Sequence, residues 1–173
     1  MLRYSTNPFK EVAMKDITRL LVAICCVPCF CVLVLAQAKH DIAGWEKGGV
    51  YDKFYDVREP DSIKGRVEDI VDIIPLPGMA KGLGLVILDK TDNKMETVHL
   101  GPKDFVDLNP IGLRKGDTVK VYGVWATIGG KDVLMATKVK KDDDQQIKLR
   151  RSRDGMPWWS MSPEELAMEK KVE

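Results

Sequence analysis

A charge-free run of 17 residues, Leu20 to Ala36, is the feature that most constrains this chain. At about 1.5 Å per residue, a helix of this length spans most of the roughly 30 Å hydrocarbon core of a bilayer. Membrane helices tolerate the kink that Pro28 would introduce. The sequence therefore predicts a transmembrane anchor over residues 20–38, with Leu20, Pro28 and Leu35 in the membrane.

The charges that precede this run predict its orientation. Two acidic residues oppose four basic ones, which are Arg3, Lys10, Lys15 and Arg19. By the positive-inside rule, residues 1–19 are predicted to be cytoplasmic and everything after the anchor is exported. The alternative is a cleaved signal peptide, because Ala36-Gln37-Ala38 matches a signal-peptidase site. Both interpretations export the rest of the chain.

All four cysteines of the chain lie within the apolar run, at Cys25, Cys26, Cys29 and Cys31. Cys26 and Cys29 have the C-x-x-C spacing of redox pairs and metal sites. Reactive thiolates need a polar setting, so we interpret these cysteines as apolar side chains of the predicted helix. The exported part has no cysteine, and its stability must therefore come from a packed core.

Residues 39–61 are predicted to form a tether between the anchor and the folded domain. The segment contains several glycines and charges, and its aromatic residues are Trp45, Tyr51, Phe54 and Tyr55. Aromatic side chains in such a segment either lie at the membrane interface or pack on the domain. The sequence does not decide between these two placements.

From Ser62 onward, apolar and polar residues alternate with the period of two that is typical of β-strands. Gly65 in the first strand predicts a β-bulge. Turn residues separate five predicted strands, which are about ten residues from Ser62, then Gly84–Asp89, Met95–Leu100, Thr118–Ile128 and Val133–Val139. One or two helical turns are predicted over Gly101–Leu108, and Gln145–Arg150 is a candidate for an added edge strand.

Five strands with a short helix between the third and the fourth are the element order of an OB-fold barrel. We therefore predict a mainly β domain over residues 62–159, built as a small five-stranded OB-like barrel. A β-sandwich would usually need about seven strands. The residues predicted to face the interior include Val67, Val86, Leu88, Val98, Val119, Val121 and Leu134.

Charge and motif content argue against most chemistries. From Lys39 onward, 23 basic residues face 24 acidic ones, so the domain has no net charge with which to wrap phosphates. The second and third strands carry no aromatic residue on which bases could stack. The exported part has no Ser/His/Asp set, no H-E-x-x-H and no P-loop. We predict a non-enzymatic domain with no cofactor and no nucleic-acid partner.

Two places in the domain are candidates for a metal ion. His99 ends the third strand, but a lone histidine is more often a hydrogen-bonded structural residue. Asp142, Asp143 and Asp144 form an acidic run that could attract a hard cation such as iron or calcium. Such a run is more often a solvated turn, and the structural interpretation is favoured at both places.

A basic and aromatic segment near the C-terminus is the candidate contact with a partner. Arg150, Arg151 and Arg153 can make paired hydrogen bonds to carboxylates. Trp158 and Trp159 are large amphipathic groups. The alternative is that the two tryptophans close the bottom of the barrel.

The last residues, 160–173, are predicted to form a charged tail. Ser162 precedes Pro163 and two glutamates, which is typical of a helix N-cap with acidic residues in the first turn. The pattern predicts a short amphipathic helix from Pro163 to about Lys171.

Several short motifs of the domain resemble one known family. They are Gly65-x-Val67, Pro77-Gly78-Met79, Val98-His99-Leu100-Gly101-Pro102, Gly116-Asp117-x-Val119-x-Val121-x-Gly123 and Arg153-Asp154-Gly155-x-Pro157-Trp158. Over about residues 62–159, the sequence is similar to the domain shared by the magnetosome proteins MamS and MamX and by many exported bacterial proteins. One anchor, one domain and this length resemble the MamS layout. MamX-like proteins carry C-x-x-C-H haem motifs, which this sequence lacks.

The resemblance implies a magnetosome-membrane protein that helps magnetite crystals mature in size and shape. It places the chain in the magnetosome membrane or the bacterial inner membrane, with the C-terminal domain in the lumen or the periplasm. The implied partners are the membrane and other magnetosome-membrane proteins or the mineral surface.

The alternative function is a periplasmic OB-fold chaperone or binding module for haem, a metal or a protein partner. The haem chaperone of cytochrome c maturation carries haem on a His that is followed four residues later by Tyr. In this chain no His follows His99, and residue 103 is Lys103. The covalent chemistry of that chaperone is therefore not expected here.

Overall fold

The structure, a computed structural model, describes residues 40–172. The predicted cytoplasmic segment 1–19 and the predicted anchor 20–38, with Leu20, Pro28, Leu35 and the four cysteines, lie outside the described residues. Within residues 40–172, no helix combines the length and the apolar character needed to cross a bilayer. The anchor therefore stays a prediction.

The domain is mainly β, with six strands and one short α-helix. The strands are β1 (Pro60–Ile73), β2 (Gly82–Asp89), β3 (Met95–Pro102), β4 (Thr118–Ile128), β5 (Lys131–Lys140) and β6 (Gln146–Lys148), and the helix is α1 (Pro163–Val172). All five strands predicted from the alternating pattern are present. The edge strand predicted after Asp144 is also present, as β6.

The strands form one sheet in the order β3-β2-β1-β4-β5-β6, with antiparallel neighbours throughout. A further, parallel pairing joins β3 to β5 and places Val98 opposite Leu134 and His99 opposite Met135. The first five strands therefore pair in a closed circuit, in the order β1, β2, β3, β5, β4 and back to β1. Closure gives each of these five strands a partner on both sides, which reduces the number of exposed sheet edges.

The longest strand, β1, connects the two halves of the sheet. Its first residues pair with β4 and its last residues pair with β2. The bulge lies between Val67 and Asp69, and the prediction of a bulge at Gly65 is wrong. Gly65 permits a close approach of strands instead, because a Cβ there would lie 2.3 Å from Cγ2 of Ile87 and 2.4 Å from the carbonyl oxygen of Leu88.

The hydrophobic core is built mainly from β1 to β5. The prediction of inward residues is confirmed for Val67, Val98, Val119, Val121 and Leu134, all of which are buried. It is wrong for β2, where Leu85 and Ile87 are buried while Val86 and Leu88 are half-buried. Residues 85–88 are all apolar, so alternation could not assign their faces, and pairing with both β1 and β3 decides them.

The segment before β1 packs on the domain. Trp45 and Tyr51 are fully buried members of the core. The indole N–H of Trp45 donates to the carbonyl oxygen of Ala80 at 2.9 Å. Trp45 and Tyr51 therefore pack on the domain, which is one of the two placements that the sequence leaves open, whereas Phe54 is exposed. The segment differs from a free tether because burying two large aromatic side chains holds it on the core.

The helical elements are short and lie in the connections and in the C-terminal tail. Over Gly101–Leu108 the structure has a single turn, in which the amides of Phe105 and Val106 donate to the carbonyl oxygen of Pro102, both at 3.0 Å. A 3-10 helix follows at Asn109–Ile111. The predicted tail helix is confirmed as α1. Ser162 caps it, since its Oγ accepts from the Glu165 amide at 3.2 Å while its own amide donates to the Glu165 carboxylate at 2.9 Å.

Candidate functional site

The predicted partner-contact segment is folded into the domain. Arg150 is 3% exposed. Its guanidinium donates to Oδ1 of Asp52 at 2.7 Å and to the carbonyl oxygen of Gly155 at 3.0 Å. It also lies over the rings of Tyr55 and Trp159, 4.5 and 5.2 Å from their centroids. Arg150 therefore links the segment before β1 to the segment after β6.

Asp52 is the carboxylate that balances the buried Arg150. Burial favours the protonated form of Asp52, but the hydrogen bonds from Arg150 and from the Gly48 amide, together with the Lys47 charge, outweigh it. They hold the pKa of Asp52 below its usual range, so the pair is ionised at neutral pH. Asp52 was not among the predicted residues, because no local pattern connects it to an arginine 98 positions away.

Two glycines bring the family-like motifs into contact with the aromatic core. The indole N–H of Trp159 donates to the carbonyl oxygen of Trp45 at 2.7 Å. A Cβ on Gly101, at φ +152°, would lie 2.6 Å from the Trp159 ring. A Cβ on Gly155, at φ +70°, would lie 2.7 Å from the Tyr55 ring. Gly101 of the His-Leu-Gly-Pro segment and Gly155 of the Gly-x-Pro-Trp segment therefore each leave room for an aromatic ring.

The other two predicted arginines hold α1 against the domain. Arg151 and Arg153 donate to the same carboxylate oxygen of Glu169, at 2.8 and 2.7 Å. These two hydrogen bonds hold the pKa of Glu169 below its usual range, and the one from Arg151 has the larger effect. Arg151 also pairs with Asp154. The side chain of Arg153 is 64% exposed, whereas Arg150, Trp158 and Trp159 are buried.

His99 lies in the interior beside Tyr51. Its Nδ1 is 3.2 Å from the Tyr51 hydroxyl, and the two rings stack with centroids 6.1 Å apart. Burial lowers the pKa of His99 to about 4, so the imidazole is neutral at physiological pH. Among the residues that the structure describes, no three His, Asp or Glu side chains are grouped closely enough to hold a metal ion. The contacts of His99 are those of a structural histidine.

The acidic run after β5 lies on the surface. Asp142, Asp143 and Asp144 are all exposed, and Asp143 lies 4.0 Å from the Lys140 ammonium. The structure therefore places these aspartates in a solvated turn after β5.

A groove of about 480 Å³ lies beside the aromatic core and is the candidate binding site. Its apolar lining consists of Phe105, Val106, Pro110, Ile147, Leu149, Trp158 and Leu166, and polar side chains such as Lys170 and Asp107 also line it. The buried indole N–H of Trp158 finds no acceptor among the described residues. A largely apolar groove of this size can take an apolar side chain of a ligand or partner.

The motifs and the mainly β fold point to a known family, and comparison with known proteins agrees. The model of the MamS/MamX magnetosome protein family matches residues 59–146, just over half of the chain, including β1 to β5. The chain belongs to this family, and membership associates it with the magnetosome. The family resemblance seen in the motifs is thereby confirmed, although the matched range ends before the Gly-x-Pro-Trp segment. No curated protein and no solved structure matches the chain.

The buried His99 is expected to make the domain less stable below neutral pH. Its pKa is about 4 in the folded domain and about 6.5 in an unfolded chain. Between these values the unfolded chain binds the additional proton. The free energy of unfolding should therefore fall by up to about 3 kcal/mol as the pH drops from about 6.5 to about 4. Urea denaturation at a series of pH values measures this dependence.

A matched pair of histidine variants provides the control. His99→Gln should flatten the pH dependence in this window, and His40→Gln, at an exposed position, should leave it unchanged. Carboxylates titrate at lower pH and do not obscure this window. The hydrogen bond from Arg151 lowers the pKa of Asp154 to about 2, so the stability that this carboxylate contributes is lost only as the pH falls below about 4. If the free energy of unfolding of His99→Gln depends on pH as strongly as that of the unaltered chain, His99 is not the source of the dependence.

Proposed function

We propose that this chain is a membrane-anchored, non-enzymatic accessory protein that supports the maturation of magnetite crystals in size and shape. Membership of the MamS/MamX family is the observation that carries the proposal. The predicted anchor and the lack of a C-x-x-C-H motif in this sequence support a MamS-like role over a MamX-like one. In this role the domain faces the magnetosome lumen or the periplasm.

We further propose that β1 to β5 form an OB-like barrel. Three features support this: the closed pairing circuit, the parallel contact between β3 and β5, and a long β1 shared between β2 and β4. Barrels of this kind are binding modules that hold ligands on the sheet face and in the adjoining loops.

The use of the interior polar side chains supports binding over catalysis. Arg150 is paired with Asp52, and His99 is paired with Tyr51. All four side chains are buried. Groups that are paired with one another under the surface stabilise the fold and are not presented to a substrate.

The groove at Trp158 is the proposed contact with another magnetosome-membrane protein. Its lining is largely apolar, whereas an iron oxide surface is polar and hydroxylated. An apolar side chain of a protein therefore matches the groove better than the mineral does.

Deletion of the gene tests the proposed role. The deletion strain should still form vesicles and mineral, but its crystals should be smaller or misshapen, because an accessory protein acts on crystal growth and not on vesicle formation. Electron microscopy of crystal size and shape measures the effect. Normal crystals in the deletion strain would rule out a role in maturation.

Complementation of the same strain tests the groove. Ile147 is half-buried and lines the groove, whereas Ile74 is 58% exposed and does not line it. Ile147→Arg should fail to restore normal crystals, and Ile74→Arg should restore them, at equal protein levels by immunoblot. If Ile147→Arg restores normal crystals, the groove is not the contact.

A further inference from the structure

Four lysines and one tyrosine lie together on the outer face of β1, β4 and β5. Lys64 lies opposite Lys120, and Lys120 lies opposite Lys140, so three lysines stand side by side across three strands. Two residues further along β4, Tyr122 lies opposite Lys138. Residues two apart share a face of a strand. We call Lys64, Lys120, Lys138 and Lys140, with Tyr122, the lysine face.

This arrangement concentrates positive charge on a domain whose charges are otherwise balanced. Like charges directly opposite each other on neighbouring strands are destabilising. The Tyr122 ring relieves part of the repulsion, since Nζ of Lys120 and of Lys138 lie 4.8 and 4.5 Å from its centroid. Within residues 40–172, the lysine face makes one ion pair, which joins Lys140 to Asp143 at 4.0 Å. The face therefore keeps a net positive charge.

Two depressions flank Tyr122, and Tyr122 lines both. One, of about 310 Å³, is lined by four lysines, Lys64, Lys120, Lys140 and Lys141, and by two aspartates, Asp142 and Asp143. The other, of about 350 Å³, is lined by Lys138, by Asp61 and by hydroxyl-bearing side chains such as Thr137 and Ser152. Ammonium groups that line depressions are best placed to meet a chain lying within them. A flat bilayer surface would rest on the rims.

We propose that the lysine face binds an acidic polypeptide segment of another protein. Strands are about 4.8 Å apart, and side chains on one side of an extended segment recur about every 6.8 Å, so a run of Asp or Glu can place several carboxylates near these ammonium groups. Lysine is a flexible point charge, whereas arginine has a rigid fork suited to one bidentate anion. An all-lysine face therefore fits a run of carboxylates better than a single phosphate. The proposal depends neither on the Trp158 groove nor on the magnetosome role.

Fluorescence anisotropy of a labelled peptide of about ten glutamates, added to the full-length chain in neutral detergent, tests this proposal. The triple variant Lys64→Gln/Lys120→Gln/Lys138→Gln should bind the peptide about tenfold more weakly, and added salt should weaken binding to the unaltered chain. The control, Lys53→Gln/Lys81→Gln/Lys131→Gln, removes the same charge from exposed positions outside the lysine face. It should bind as the unaltered chain does. Equal weakening in both triple variants would overturn the proposal, because net charge alone would then explain binding.

Lysine acetylation read by mass spectrometry makes the second measurement, on the unaltered chain. The glutamate peptide should protect Lys64, Lys120 and Lys138 from acetylation and leave Lys53 and Lys131 reactive. This readout holds even if the triple variant fails to fold. If anionic phospholipid added to the micelles protects the lysine face and the peptide does not, the face is a lipid-binding surface and the proposal is overturned.

Discussion

Replacement of Arg150 by alanine is expected to lower the free energy of unfolding by about 3–5 kcal/mol. The side chains of Arg150 and Asp52 are 2% and 4% exposed, so Arg150→Ala leaves a buried carboxylate without its counter-ion. It also removes the guanidinium that lies over the Tyr55 and Trp159 rings. Urea denaturation followed by far-UV circular dichroism measures the loss.

Two further variants separate the buried charge from a general effect of losing an arginine. Arg153→Ala removes an arginine that is 64% exposed, and it should cost no more than about 1 kcal/mol. Asp52→Leu combined with Arg150→Met removes both charges and keeps apolar volume, so it should recover much of the stability. A double variant as unstable as Arg150→Ala would contradict the account based on an unpaired charge.

Replacement of Trp159 by alanine is expected to cost about 3–5 kcal/mol of unfolding free energy. Trp159 is 7% exposed and lies edge-on to the rings of Trp45 and Phe105. Its loss would open a cavity against Gly101 and leave the carbonyl oxygen of Trp45 without the indole donor. The same denaturation measurement applies.

Trp125 provides the matched control for this substitution. Its side chain is half-buried on β4, and its indole N–H donates to the Asp61 carboxylate at 2.8 Å in an exposed position. Trp125→Ala should therefore cost clearly less, about 1 kcal/mol. Equal losses for the two variants would show that Trp159 does not anchor the core.

Strand positions are well predicted because they depend on neighbours in sequence. The predicted bounds of β4, Thr118–Ile128, are those of the structure, since turn residues and alternating β-branched residues define both ends. The same holds for α1, whose start follows from Ser162 and the acidic residues after it. The face of β2 was not predictable in this way, because residues 85–88 are all apolar and only pairing with β1 and β3 assigns them.

Of the residues predicted to contact a partner, only Trp158 lines the candidate groove. Arg150, Trp158 and Trp159 stand out in the sequence as charged or amphipathic groups suited to a partner. Whether such side chains point outward depends on what they meet, and Arg150 meets Asp52 across 98 positions of chain. Long-range pairing of this kind turns a predicted surface into part of the interior.

The amino-acid sequence alone determined the strand pattern, the tail helix and the family motifs of this chain, because each is a property of residues close together in the chain. The tertiary structure alone decided that the segment before β1 belongs to the core, since Trp45 and Tyr51 pack against residues far from them in sequence. It also decided the lysine face. Lys64, Lys120 and Lys140 are distant in sequence and become neighbours only through the register of β1, β4 and β5. Register depends on hydrogen bonds between strands, which the spacing of residues along one strand does not contain.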